Sequence, residues 1–499
     1  MSVMKHRKWI LLAVFLIVLS MRLYFAFQTD HFSSDEAYFT LRQVENIKST
    51  GLPLIKDDLS FSGRTYIVLP VYYYILAGFN LVLPIEFVGK VIPNILASLL
   101  IFVIYLITER ITRSRKAALM TAVLSGFVPI FFSKTINTIS PYSLVIPLSF
   151  LLIYLFISLN EKNRFIYFVI TFVILLLMHS SLIIIVLGLM TFLFFVRIEK
   201  LKQSRQELEV ILFTFFISIW FYIIIFKDVF LFHGLRFLWQ NVPNQLFSQY
   251  FSNISFLTII NQISLFSFIF GIYIIYRLVI REKNRELYIF ISLAITLLIL
   301  ITLKFITLNM GIMFLSIVML ILFGYFFKIL IHFFEKTKFE KYKKVGISLF
   351  YIAALLTMMI PSLIYAKGEI NNSFRNNEIE VLEWIRDNTA EDSVIVSFPR
   401  QGNLITSVTK RKNVIDTDFL MIPQIDQRYD DINKIYTTNS VIEAIHLLSK
   451  YNAKYIYFST DRLIKNFGIN EIKYLDDKCF VPIFGKDKVL VYELRCEVR

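Results

Sequence analysis

The chain has 499 residues, of which 57% are hydrophobic, 16% aromatic and 18% charged. Soluble domains carry about 25% charged residues, so this composition, with its mean hydropathy of +0.64, predicts a polytopic membrane protein. The 51 Phe and 26 Tyr residues, with only 15 Gly and 12 Pro, exclude a disordered or collagen-like chain. The net charge of +15 would suit nucleic acid or a membrane, and the positions of the charges decide between them.

Hydropathy predicts a series of transmembrane helices, since about 20 apolar residues cross a bilayer as a helix. Eleven spans are predicted, at residues 9–27, 87–108, 117–133, 140–159, 165–178, 181–196, 210–226, 255–276, 287–303, 305–327 and 345–365. The pair 165–178 and 181–196 is short and is expected to turn at His179. The stretch 66–84 contains Pro70 and three consecutive tyrosines, and tyrosine prefers the membrane–water interface. We therefore expect 66–84 to lie on the membrane as an interfacial helix.

The positions of Lys and Arg predict the orientation of these spans. The segments on the N-terminal side of the membrane hold 23 Lys and Arg residues, against 8 on the opposite side. Cytoplasmic loops carry the excess of positive charge, so we expect a multi-pass protein of the cell membrane with a cytoplasmic N-terminus. The loop 28–86 and the segment 366–499 are then both extracytoplasmic. The excess of Lys and Arg in the predicted cytoplasmic segments accounts for the net positive charge of the chain, so no nucleic-acid partner is expected.

The chain divides into two parts at about residue 365. Residues 1–365 form the predicted transmembrane domain, and residues 366–499 regain charged residues. In this second part, strand-like runs such as Lys454–Ser459 alternate with helix-like runs such as Asn377–Asn388, which predicts a small α/β domain. Both cysteines, Cys479 and Cys496, lie there. A disulfide between them and two reduced thiols are both compatible with the sequence.

Carboxylates collect just after the first span, in the run Asp35-Glu36-Ala37-Tyr38. Ser33 or Ser34 can cap a helix that begins at Asp35, and acids in a first helical turn are favoured by the helix dipole, so capping is the simplest interpretation. The functional alternative rests on the position of these acids next to the first predicted span. A carboxylate at the membrane surface could take a proton from an acceptor hydroxyl, which then attacks a sugar carried on a membrane-bound phosphate.

Such a reaction needs cations beside the phosphate that leaves. Arg64, Arg236 and Lys304 are among the few basic residues on the predicted external side. We take them as candidate donor phosphate-binding residues. Each could instead be solvated or paired with a lipid head group.

These features together resemble the GT-C class of membrane glycosyltransferases, in a layout similar to protein O-mannosyltransferases and lipid A aminoarabinose transferases. The shared features are one N-terminal span, the Asp35–Tyr38 run in an external loop, the aromatic segment around Tyr72, and a second span that opens near Lys90. The resemblance implies an α-helical polytopic GT-C-like fold. It also implies that an acid at the position of Asp35 activates the acceptor or contacts the donor, with Glu36 as the adjacent acid.

The resemblance extends to other candidate site residues. It implies that Lys304 contacts the donor phosphate and that His179 stands where relatives have a polar or basic group. Tyr38 and Tyr72 are expected to line the substrate site. The chain departs from the family pattern at two places, which concern the acceptor and a metal. Leu69-Pro70-Val71 replaces the His-Pro-Pro signature of the mannosyltransferases, and Asn137 stands where metal-dependent oligosaccharyltransferases have an acid. No metal is assigned to the site, and a divalent metal ion as cofactor is left open.

The sequence-based hypothesis is a glycosyltransferase of cell-envelope glycosylation. It moves a sugar from a polyprenyl-phosphate donor to a glycan, lipid or protein acceptor on the external face of the membrane. The longest predicted cytoplasmic segment has 17 residues, too few for a domain that binds a nucleotide sugar. The alternatives are a transporter or flippase of lipid-linked glycans and a non-catalytic membrane assembly protein. A transporter would normally carry a mid-membrane acid, or helices broken by Gly and Pro in matched halves, and the sequence has neither.

Overall fold

A computed structural model of the chain describes residues 7–251, 254–337, 340–476 and 478–496. Its larger part is a bundle of apolar helices. Their bounds are Arg7–Ala26, Ile85–Ser98, Leu100–Thr112, Arg115–Ser125, Pro129–Lys134, Tyr142–Ile157, Arg164–Leu176, Leu182–Ile198, Arg205–Ile225, Phe256–Ile263, Leu265–Ile280, Arg285–Thr302, Leu308–Lys336 and Lys343–Asn371. Large apolar side chains such as Phe213, Phe216 and Trp220 remain exposed on the bundle, as expected for a surface that faces lipid.

Each predicted span coincides with one of these helices or with a pair of them. Six helices in the described part of the chain are long and apolar enough to cross a bilayer, or seven if a bent pair counts as one span. The apolar helices Tyr142–Ile157, Arg164–Leu176 and Leu182–Ile198 are shorter. A helical membrane protein is confirmed, including the turn at His179, while the number of eleven spans stays a prediction.

Two predicted spans are interrupted. The span 117–133 breaks before Pro129, which has no backbone N–H and therefore cannot continue the preceding helix. The span 255–276 bends by 89° at Ser264, whose φ is +86°. Apolar residues lie on both sides of Ser264, so a hydropathy window cannot detect this bend.

The loop after the first helix is itself folded. The helix Asp35–Thr50 begins at Ser34, whose hydroxyl accepts a hydrogen bond from the backbone N–H of Ala37 at 3.3 Å. Two short antiparallel strands, Lys56–Asp57 and Arg64–Thr65, follow. The predicted interfacial segment contains the helix Val71–Asn80, and the residues just beyond that helix expose large apolar side chains.

The C-terminal α/β domain is built on a five-stranded sheet. In spatial order its strands are Lys412–Asn413, Val394–Val396, Ala453–Ser459, Val489–Leu494 and Phe480–Lys486. The first three are parallel and the last two are antiparallel. The accompanying helices are Asn376–Asn388, Gly402–Thr409, Ile425–Thr437, Val441–Lys450 and Thr460–Phe467. A disulfide joins Cys479 to Cys496, so the bridged alternative is the one the structure contains.

The loop 28–86 packs directly against this domain. The Arg42 guanidinium donates to both carboxylate oxygens of Asp57, at 2.8 and 2.6 Å, and to the Thr406 hydroxyl at 3.0 Å. The backbone N–H of Asn413 donates to the carbonyl of Leu59 at 2.9 Å. These contacts confirm that the loop and the domain lie at the same end of the helical bundle. Which side of the membrane they face stays a prediction.

Candidate functional site

Asp35 connects the loop to the C-terminal domain. One carboxylate oxygen accepts hydrogen bonds from the backbone and side-chain N–H groups of Asn403, at 3.1 and 2.9 Å. The other oxygen accepts the backbone N–H of Leu404 at 2.9 Å. These N–H groups begin the helix Gly402–Thr409. Asp35 therefore acts as a cap, although the helix that it caps lies in another domain.

The surroundings of Asp35 affect its protonation. The residue is only 4% exposed. Burial raises the pKa of its carboxyl well above the usual range, and the neighbouring charge of Glu36 raises it further, while the N–H groups of Leu404 and Asn403 oppose the rise. An acceptor substrate would have to displace these hydrogen bonds to reach the carboxylate.

Glu36, the next residue, is exposed. Its charge acts on Tyr250, in the helix Asn244–Phe251. Burial raises the pKa of the Tyr250 hydroxyl, and the negative charges of Glu36, Asp418 and Asp35 raise it further, while Arg400 opposes them. The pKa of this one tyrosine thus responds to carboxylates of the first loop and of the C-terminal domain.

Tyr250 lines a cavity of about 970 Å³ between the membrane helices and the C-terminal domain. Most of its wall is apolar and aromatic. That wall includes Phe39, Leu69, Tyr73, Tyr142, Ile183, Ile219, Tyr222, Phe226, Phe230, Leu231, Phe305, Ile306 and Met310. The titratable lining groups other than tyrosine are His179, Lys227 and Asp418. Its volume is at the upper end of the range of about 300–1,000 Å³ that is usual for small-molecule sites.

Two of the predicted substrate-lining residues are in this wall. The Tyr72 hydroxyl lies 3.3 Å from the Ser143 hydroxyl. The His179 ring packs against Tyr142 with 4.9 Å between ring centroids, and its Nδ1 lies 3.0 Å from the Ser181 hydroxyl. Tyr38 lies elsewhere: it is 5% exposed and packs edge-on against Phe374. The structure thus brings Tyr72 and His179 together in one cavity and leaves Tyr38 in the core.

The predicted phosphate-binding residues have different surroundings. The Arg64 side chain is 2% exposed and lies 3.5 Å from an Asp416 carboxylate oxygen and 3.2 Å from one of Asp418. Arg236 forms an ion pair with Asp426 at 2.7 Å. Lys304 lies over the Phe247 ring, 5.0 Å from its centroid. Two of the three predicted cations are therefore already neutralised by carboxylates of the C-terminal domain.

Sequence reasoning missed Lys227, Tyr250 and Asp418. Asp416 and Asp418 closely follow the short strand Lys412–Asn413. Two acids two positions apart just after a strand could have indicated a site from the sequence. Lys227 and Tyr250 lack any comparable pattern. Among the described residues, no group of three or more His, Cys, Asp or Glu side chains is arranged to hold a metal ion.

The fold is shared with solved membrane glycosyltransferases. The archaeal oligosaccharyltransferase AglB from Archaeoglobus fulgidus, in complex with an inhibitory peptide and a dolichol-phosphate, aligns with 91% of this chain and 70% of its own, at a TM-score of 0.70 and 15% identity. ArnT from Cupriavidus metallidurans, bound to undecaprenyl phosphate, aligns over 97% of both chains at a TM-score of 0.56 and 11% identity. The chain has the GT-C fold.

A third structure with the GT-C fold is the arabinofuranosyltransferase AftD from Mycobacteria. It aligns with 98% of this chain and 40% of its own, at a TM-score of 0.59 and 11% identity. No family model and no curated protein sequence matches the chain. At these identities the GT-C fold itself is what the likeness establishes, and the fold predicted from the sequence is confirmed.

Proposed function

We propose that the chain is a membrane glycosyltransferase that takes its sugar from a polyprenyl-phosphate donor and transfers it on the extracytoplasmic face. The observation that carries the proposal is the cavity at the junction of the two domains. Its apolar wall comes largely from membrane helices and suits a polyprenyl chain, and Asp418 at its domain side supplies a polar end. A site that is apolar with a few placed polar groups is the usual form of a small-molecule site.

The proposal gives the base function to Glu36. Its carboxylate is exposed, its negative charge raises the pKa of Tyr250 in the cavity wall, and it has no ion-pair partner among the described residues. The acceptor hydroxyl oxygen attacks the anomeric carbon of the sugar and forms the new C–O bond. The bond from that carbon to the phosphate oxygen breaks, polyprenyl phosphate leaves, and Glu36 takes the acceptor proton.

Asp35 supports this chemistry as a positioning residue. Its hydrogen bonds to Asn403 and Leu404 fix the first turn of the helix that carries Glu36 against the C-terminal domain. Because both carboxylate oxygens of Asp35 are already accepting hydrogen bonds in a buried position, Glu36 is the better placed of the two acids to accept a proton.

Lys227 and Lys304 are the proposed donor phosphate-binding residues. Lys227 lines the cavity, and Lys304 immediately precedes Phe305 and Ile306 in its wall. A charge-assisted hydrogen bond contributes about 1.5–3 kcal/mol. The proposal assigns no phosphate contact to Arg64 or Arg236, since carboxylates of the C-terminal domain already pair with both.

The test is a transfer assay with the purified chain in nanodiscs. A panel of radiolabelled polyprenyl-phosphate hexoses and pentoses is supplied with membrane extract as the source of acceptor. A glycosyltransferase releases polyprenyl phosphate and moves the label into other material. Movement of the same donors between bilayer leaflets, without transfer of label, would identify a flippase and contradict the proposal. Neither activity with any donor would favour the assembly protein.

A further inference from the structure

A second, smaller pocket lies where the last membrane helix meets the C-terminal domain. Its volume is about 170 Å³, which is below the range of about 300–1,000 Å³ for drug-sized ligands. The lining is almost entirely polar. It comes from the end of the helix Lys343–Asn371, the start of the helix Asn376–Asn388, the helix Thr460–Phe467 and the start of the strand Val489–Leu494. The pocket therefore suits a small polar group and not an acyl chain.

Cations outnumber acids in this pocket. Arg375 and Lys488 both pair with the Asp461 carboxylate, at 3.0 and 2.8 Å. Arg462 binds the carboxylate of Glu378 at 2.8 and 3.2 Å.

The fourth cation, Lys465, lines the same pocket. It has no ion-pair partner among the described residues. Four cations face two carboxylates, and the pocket is left with a surplus of positive charge and a free ammonium group.

The position of the pocket relates it to the membrane surface. Asn371 lines the pocket and is the last residue of the helix Lys343–Asn371, which has 29 residues. At about 1.5 Å per residue this helix is about 43 Å long, whereas the hydrocarbon core of a bilayer is about 30 Å thick. Because the predicted span 345–365 ends before Asn371, we expect the end of the helix to lie at the level of the lipid head groups.

We propose that this pocket binds the phosphate group of an anionic membrane lipid. Arginine and lysine are the side chains that bind phosphate by charge-assisted hydrogen bonds. A lipid presents its phosphate at the depth of Asn371, and the small pocket accommodates that group while the acyl chains stay in the bilayer. Excess positive charge disfavours head groups that carry their own cation, so phosphatidylglycerol binds in preference to phosphatidylcholine.

The test is native mass spectrometry of the full chain after delipidation, with phosphatidylglycerol or phosphatidylcholine added. Lys465→Gln removes the unpaired cation, and Lys434→Gln is the matched control, since Lys434 is exposed in the same domain but outside the pocket. We expect Lys465→Gln to weaken phosphatidylglycerol binding by about tenfold and Lys434→Gln to leave it unchanged.

Two results would overturn the proposal. Equal phosphatidylglycerol binding by the parent, Lys465→Gln and Lys434→Gln would show that the pocket does not hold the lipid. Added sn-glycerol 3-phosphate distinguishes a soluble phosphate from a lipid. Suppose that the parent binds this compound and that Lys465→Gln weakens that binding, while Lys465→Gln leaves phosphatidylglycerol binding unchanged. The ligand is then soluble and the lipid assignment is wrong.

Discussion

The Asp35 carboxylate accepts a hydrogen bond from the backbone N–H of Leu404, a residue 369 positions away. Asp35 begins a helix in the first loop and at the same time caps the helix Gly402–Thr409 of the C-terminal domain. The acid that resembles a catalytic residue in the sequence thus joins the two parts of the molecule. The acid beside it, Glu36, is exposed, and its role as the base is the proposal.

Asp35→Asn is expected to destabilise the protein. Asparagine has one acceptor oxygen in place of two, so at least one N–H at the start of the helix Gly402–Thr409 loses its partner. An unsatisfied buried donor costs about 1–3 kcal/mol. The melting temperature of the purified protein measures this loss. Asp58→Asn is the control, because Asp58 is an exposed acid of the same loop, and its melting temperature should match that of the parent.

Transfer activity separates the two roles of Asp35. If Asp35 is a positioning residue, the Asp35→Asn variant should have the same pH profile of transfer as the parent. Its transfer rate at low temperature should fall only a few-fold. A parental melting temperature combined with a loss of transfer by about a hundredfold or more would instead make Asp35 the base.

Arg64→Gln should cost about 3–5 kcal/mol of stability, because it leaves Asp416 buried without its cation. Arg236→Gln is the contrasting variant. The Arg236 and Asp426 side chains are 36% and 31% exposed, and a partly exposed pair contributes about 1 kcal/mol or less. Chemical denaturation of both variants measures the difference. Equal losses in the free energy of unfolding would contradict the prediction that the buried Arg64 ion pair contributes more than the partly exposed Arg236 ion pair.

The disulfide between Cys479 and Cys496 should stabilise the C-terminal domain by about 3 kcal/mol, the usual effect of closing a loop of this length. The Cys479→Ser and Cys496→Ser double variant should therefore melt at a lower temperature than the parent under non-reducing conditions. With a reductant present, the parent should approach the variant. Equal melting temperatures without reductant would mean that the bridge does not form.

The orientation predicted from Lys and Arg is tested by cysteine labelling in intact cells. Lys434→Cys, on the C-terminal domain, should react with a reagent that does not cross the membrane. Lys116→Cys, at the other end of the bundle, should react only after permeabilisation. Both lysines are exposed. Labelling of Lys116→Cys alone would reverse the orientation, and the proposed site would face the cytoplasm.

Much of the fold could be predicted from the sequence, because long apolar runs and alternating patterns are local signals. Every predicted span coincides with helix, and the helix Asn376–Asn388 and the strand Ala453–Ser459 lie within a residue or so of their predicted positions. The bend at Ser264 was not predictable, because it depends on one backbone torsion inside an apolar run.

The site could be predicted only in part. Tyr72 and His179 both line the cavity, and both lie at the ends of apolar segments. That they line a substrate site stays a prediction. The contact between Arg64 and Asp416 joins residues more than 350 positions apart, and no local pattern records such a pairing. For this reason Arg64 resembled a free cation in the sequence although its charge is neutralised.

The rate of sugar transfer by Glu36→Gln tests the central claim most directly. Glutamine keeps the size of the side chain but cannot accept a proton, and general-base catalysis contributes about 10²–10⁴ in rate. The control is Glu45→Gln, an exposed acid on the same helix that pairs with Lys410. We expect Glu36→Gln to keep its melting temperature and donor binding while transfer falls by at least about a hundredfold, and Glu45→Gln to transfer like the parent. If Glu36→Gln transfers sugar within a few-fold of the parent, Glu36 is not the base and the proposed site is wrong.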